Sequence, residues 1–185
     1  MKIFISKHWK LILSVLFGVT VFLFWDVLYP CYLSYQEQFQ LFIFNGSYFT
    51  ERIIVPGGLS DYIAEFLTQF YYIAWIGACI LAIILVLIQR MSWIIAKLEG
   101  AADEYYMVSF IPALLIWGYM GDENVLLSFI VACLVALIAC WGYMKVKDQK
   151  KYHLVYLLLM TPSLYWLFGP VVLIFLCFAV INIMI

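Results

Sequence analysis

Charge is what this sequence has least of. Only 11% of its 185 residues are Asp, Glu, Lys or Arg, against about 25% in an ordinary soluble domain. The two signs nearly balance, at 10 basic and 11 acidic residues, so no basic stripe of the kind that marks a nucleic-acid binder is present and no nucleic-acid partner is expected. Histidine is scarcer still. His8 and His153 stand at the edges of apolar runs near lysines, and no Cys/His cluster has metal-ligand spacing. The five cysteines are scattered without a Cys-x-x-Cys pair, four of them inside apolar runs. There a thiol behaves as a small hydrophobe, which leaves no disulfide framework and no zinc knuckle. A Ser/His/Asp set, a Walker loop, internal repeats, low-complexity tracts and interdomain linkers are also missing from the sequence, so residues 1–185 read as one domain.

What is present is apolar side chain: 68% of the residues are hydrophobic and 19% are aromatic. A soluble fold of this length leaves too much surface in water to hide that quantity, so the solvent of this chain is a lipid bilayer. A helix needs about 20 apolar residues to cross the hydrocarbon, and about 17 suffice. Runs at 9–25, 70–88, 105–120, 125–144 and 152–168 meet that length, and 170–185 begins another. Backbone groups in lipid must be satisfied within their own segment, which leaves helices, and the runs do not alternate as barrel strands do. The expected fold is all-α, a polytopic membrane protein of five to six transmembrane helices. Pro112 and Pro162 fall inside two of the runs and predict kinks there.

Orientation follows from lysine and arginine. With the N-terminus in the cytoplasm, nine of the ten basic residues face inward, Lys2, Lys7, Lys10, Arg90, Lys97, Lys145, Lys147, Lys150 and Lys151, and only Arg52 faces out. The first run has a basic start but is followed by "FWDVLYP" rather than a small-residue cleavage site, so it reads as a retained span. The chain reaches Ile185 within an apolar run, and a longer protein is the expectation.

About 44 residues, 26–69, separate the first two spans, far more than a helix–helix connection needs. The only other connection on that side is "GDEN", a plain turn. In the long loop, "YQEQFQLFIF" sets Tyr35, Phe39, Phe42 and Ile43 on one helical face, the pattern of a helix lying in the membrane interface. "NGS" and "PGG" are turn signals. The stretch "GLSDYIAEFLTQFYY" then predicts a helix capped by Ser60 or Asp61 and running unbroken into the second span. Asp61 and Glu65 stand one turn apart on its polar stripe. Either they cap and solvate the helix, or they face a cavity where paired carboxylates attract a cation. Asp26 and Glu37 join such an acidic cluster only if the loop folds back. No cofactor is evident, and a divalent cation is the one that this cluster could hold.

The runs "YQEQFQLFIF", "VPGGLSDYIAEFLTQFYY" and "TPSLYWLFGPVVL" resemble the N-terminal part of a family of uncharacterised bacterial multi-pass membrane proteins, a domain of unknown function. That resemblance implies a bacterial inner-membrane location and continuation beyond this length, and it supplies no activity to carry over. A more distant architectural likeness is to C-type glycosyltransferases that use lipid-linked sugars. It implies acidic residues in the first external loop as base or metal ligand, with Asp26, Glu37, Asp61 and Glu65 as the candidates. The short paired-acid motif of those enzymes is missing from this loop, and the adjacent pair Asp122 and Glu123 lies in the other external turn. Two functional classes stay open, a structural or interaction component of the membrane and a group-transfer enzyme. The partners expected are the bilayer and other membrane proteins or further copies of the chain, with small residues such as Gly77, Ala78 and Ala82 helping helices pack. A transporter is disfavoured, because the spans hold almost none of the charges that line ion paths.

Overall fold

The computed structural model describes residues 2–146 and 150–184, with side chains for 8–146 and 152–184. Lys147 and Ile185 lie outside the described residues, as do the side chains of Lys2, Lys7, Lys150 and Lys151. The described residues are all-helical, without a strand. Helix α1 (Lys2–Leu23) ends in a π-helical turn (Phe24–Leu28). Three short helices follow, α2 (Pro30–Phe39), α3 (Gly46–Ile54) and α4 (Gly58–Thr68), the last closed by a 3-10 turn (Gln69–Tyr72). The long helix α5 (Ala74–Leu98) leads through a 3-10 segment (Asp103–Phe110) to α6 (Ile111–Tyr119). Then come α7 (Leu127–Val146), α8 (Lys150–Phe168), a 3-10 turn (Gly169–Val171) and α9 (Val172–Met184).

Four of these stretches are long and apolar enough to cross a membrane: His8–Leu28, Ala74–Leu98, Leu127–Val146 and Tyr152–Met184. The fourth is not one straight helix. Leu154 and Ile183 line the same groove, and the rings of Tyr156 and Phe175 lie 6.3 Å apart, so α8 and α9 fold back on each other. Gly169 makes the reversal at φ +74°, a conformation that a Cβ opposes. The run at 105–120 is divided, its first part 3-10 and its second α. Pro112 therefore stands in the first turn of α6, where its missing N–H costs nothing, rather than within a kinked helix. Pro162 does lie inside a helix, α8.

Helix α7 is the centre of the bundle, in contact with α4, α5, α8 and α9. Its buried positions include Ala132, Cys133, Ala136, Ala139 and Cys140. Small side chains let backbones approach closely, which is how helices gain packing energy where lipid removes the hydrophobic drive between them. Both of those cysteines pack as small apolar groups, and all five cysteines are free.

One end of the bundle gathers the start of α1 and the ends of α5 and α7. There Ile95 packs with Tyr143, and Asp103 takes Lys10 at 2.6 Å and Lys97 at 2.9 Å. Those contacts hold the Asp103 carboxyl down at about 2. The opposite end carries α2, α3, α4 and the turn before α7. The sequence pattern predicts an unbroken α4–α5 helix, but the chain breaks at Ile73, which is extended. The cause is packing. Tyr71 folds over Gly77, where a Cβ would come within 2.9 Å of its ring, and Tyr71 is buried.

Candidate functional site

The site is built on the corner between α3 and α4. Asn45 caps α3, its side-chain oxygen accepting from the Ser47 amide at 3.4 Å. The corner itself needs two glycines. Gly57 adopts φ +88° and its N–H donates to the Trp166 carbonyl at 2.9 Å. At Gly58 a Cβ would stand 1.7 Å from the Arg52 carbonyl oxygen, so only hydrogen fits. Gly57 also meets Gly169 at the α8–α9 reversal, and the Trp166 indole donates to Ile53 O at 3.1 Å. The α4 cap is therefore Gly57. Ser60 instead donates to the Gly57 carbonyl at 2.6 Å, and Asp61 lies in the first turn, where a carboxylate suits the helix dipole.

With the corner set, Arg52 faces Glu65. Arg52 Nη2 donates to Glu65 Oε1 at 2.5 Å. The Tyr48 hydroxyl donates to the other carboxylate oxygen and itself accepts from Arg52 Nη2 at 2.9 Å and Nε at 3.2 Å. The Arg52 side chain is 38% exposed and that of Glu65 only 11%. The ion pair is thus half out of water, where Coulomb attraction is stronger than at an open surface. Burial and then the Glu65 hydrogen bond raise the Tyr48 phenol above its ordinary value. The Tyr48 contact, more than any other cause, raises the Arg52 guanidinium.

Beside this triad lies a cavity of about 300 Å³, lined by Gln40, Arg52, Asp61, Glu65 and Ser128 among others. A seam of amides leads away from Gln40 on its wall. Gln69 donates to Gln40 O at 3.0 Å, Gln40 to Gln36 Oε1 at 2.7 Å, and Gln36 to Glu123 O at 2.6 Å. Tyr32 donates to Val125 O at 3.1 Å. The Gln36 and Tyr32 bonds reach carbonyls of the turn before α7, and the one on buried Val125 would be costly to leave unpaired.

Of the four acidic candidates, the structure brings Asp61 and Glu65 to one cavity. Asp26 sits in the π-helical turn and Glu37 on the flank of α2, and neither lines it. Among the described residues no group of three or more His, Cys, Asp and Glu side chains could hold a metal ion; the positive charge beside Glu65 comes from Arg52. The α2 face also differs from the periodicity. The helix stops at Phe39, so Phe42 and Ile43 are not on it. Gln36 and Gln40 are 1% and 7% exposed, whereas Tyr35 and Phe39 point outward at 41% and 65%.

Arg52, Tyr48 and the glutamine seam are the site residues that sequence reasoning missed. The available signal was Arg52 itself, the one basic residue on the acidic side. A second polar network was missed at the other end. Gln89 is fully buried, accepting from Ser14 at 2.7 Å and donating to Ser109 at 2.8 Å. Tyr106 donates to Lys10 O at 2.7 Å and lies 2.6 Å from Ser14 Oγ. The signal there was an amide at the end of an apolar run. This network joins α1, α5 and the 3-10 segment, and its polar atoms are satisfied.

Residues 7–185 match a family of unknown function, DUF6057, and the chain belongs to that family. No curated protein and no solved structure matches it.

Proposed function

We propose that this chain is a multi-pass protein of the bacterial inner membrane, N-terminus cytoplasmic, that serves as a structural or interaction component of a membrane assembly. In this reading α6 with its 3-10 lead, α8 and α9 each traverse the bilayer, giving six spans, and residues 26–69 form a folded extracytoplasmic cap. The clustering of Lys10, Arg90, Lys97 and Lys145 at one end supports the orientation. The observation that carries the functional reading is the state of Glu65. Its two carboxylate oxygens are taken by Arg52 and Tyr48, which clamps α3 to α4 instead of presenting a free acid. Polar groups spent on joining helices are what a scaffold needs.

Group transfer at an extracytoplasmic acidic site is the alternative, favoured by one fact: Asp61 and Glu65 share a cavity. An Asp61→Asn variant separates the two. It keeps the shape of the side chain and removes its basicity. The scaffold reading expects this variant, present in the membrane at wild-type level, to complement a deletion strain fully; failure to complement supports group transfer. Orientation is checked by a membrane-impermeant maleimide on intact cells. Cys31 as the sole cysteine is expected to react and a cysteine at Lys145 is not; the reverse result inverts the topology.

A further inference from the structure

Between α1 and α5 runs an apolar groove of about 370 Å³, lined by Gly18, Phe22, Cys79, Ala82 and Val86 among others. Gly18 creates it, since a Cβ there would meet Val86 at 3.0 Å. On α1 it extends from Ser14 to Phe22, about 12 Å at 1.5 Å per residue. That is close to one leaflet of a hydrocarbon core about 30 Å thick. Ile83 on its rim is 58% exposed, so the groove opens toward the surrounding bilayer rather than into the bundle.

The end of the groove is cationic. Cys79, Ile83 and Val86 follow one stripe of α5 at helical spacing, and Arg90 is the next residue on it. Arg90 is half-buried and has no carboxylate partner among the described residues. On α1, Lys10 precedes Ser14 by one turn and lies 4.7 Å from the Trp93 ring centroid, and Lys10 and Lys97 share the carboxylate of Asp103. Arg90 therefore stands one turn beyond the lining of an apolar groove about one leaflet deep, on the stripe that leads out of it.

The geometry points to an anionic phospholipid bound here, its acyl chain along Gly18 and Ala82 and its phosphate on Arg90. The apolar trough supplies the chain site, and the Arg90 guanidinium, without a carboxylate partner among the described residues, matches a phosphate in charge and in fork geometry. The inference rests on the membrane reading above.

The test is native mass spectrometry of the whole chain released from nanodiscs made with phosphatidylglycerol or with phosphatidylcholine. Recovery of the wild type in nanodiscs checks the membrane reading separately; a chain that stays out of them sinks that reading. Wild type is expected to retain phosphatidylglycerol over phosphatidylcholine. Arg90→Gln is expected to lower the retained fraction about fivefold, the worth of one cation at an anionic surface. Lys145→Gln, at the same end but off the groove, is expected to leave it unchanged. Ile83→Trp, which fills the groove from its exposed rim, should lower retention with Arg90 intact. Equal losses in Arg90→Gln and Lys145→Gln, or none in either, would overturn the site. So would a dimer that Ile83→Trp dissociates while lipid retention holds, which assigns the groove to a second copy.

Discussion

Replacing Arg52 with Gln removes the charge that Glu65 faces and leaves a carboxylate only 11% exposed. Its remaining partner is the Tyr48 hydroxyl. Breaking a fully buried pair from one side costs about 3–5 kcal/mol, whereas an exposed pair contributes about 0–1 kcal/mol. With Arg52 38% exposed, the expected cost lies between these limits, about 1–2 kcal/mol. Glu65→Gln should cost less, because the guanidinium left behind reaches water. The pair holds α3 on α4, so the loss should appear as local opening of α3 and not of the bundle. Hydrogen exchange followed by mass spectrometry reads this directly. Amides of residues 46–54 are expected to exchange roughly 5- to 30-fold faster in Arg52→Gln, at about 1.4 kcal/mol per tenfold, while those of α5 and α7 keep their rates. The double variant should show a coupling of about 1 kcal/mol between the two positions. Unchanged rates in α3, acceleration spread equally over α5 and α7, or additive single effects would refute the clamp.

Gly58→Ala puts a methyl into the Arg52 carbonyl oxygen at 1.7 Å, so a loss of about 3 kcal/mol or more is expected in detergent unfolding. A loss below about 1 kcal/mol would show that the corner is free to shift. Gln89→Leu removes the hydrogen-bond partner of Ser14 and Ser109 inside the bundle and should cost about 1–2 kcal/mol; thermal unfolding with no loss would mean that the network contributes nothing net. Tyr48 gives a pH dependence. Its pKa is raised above 10.0 in the folded chain, so its stabilisation is complete below pH 10 and is lost as pH climbs through the raised value. Wild type should lose stability above pH 10 faster than Tyr48→Phe, which has no phenolic proton; parallel profiles would refute the link.

What the sequence determined by itself is the class of solvent and the regular elements that survive in it. Apolar content, run length and the clustering of lysines are sums over side chains and do not depend on which helix touches which. That is why α1 and α7 fall close to where the hydropathy puts them, while α5 runs on to Leu98, ten residues past the apolar run at 70–88, and why Cys133 and Cys140 turn out as packing residues. Periodicity also placed Asp61 beside Glu65, since neighbours four apart share a helical face.

Tertiary structure decided the rest, because the partners are distant in the chain. Arg52 meets Glu65 across 13 residues, Ser14 meets Gln89 across 75, and Gln36 meets Glu123 across 87. No local pattern encodes those pairs. Gln36 and Gln40 read as a wetted face, yet Gln36 donates to carbonyls of a remote turn and Gln40 donates to Gln36, and both lie inside. The α4–α5 junction reads as continuous, yet Tyr71 on Gly77 breaks it. Each is a case of packing overriding a local preference worth under about 1 kcal/mol per residue.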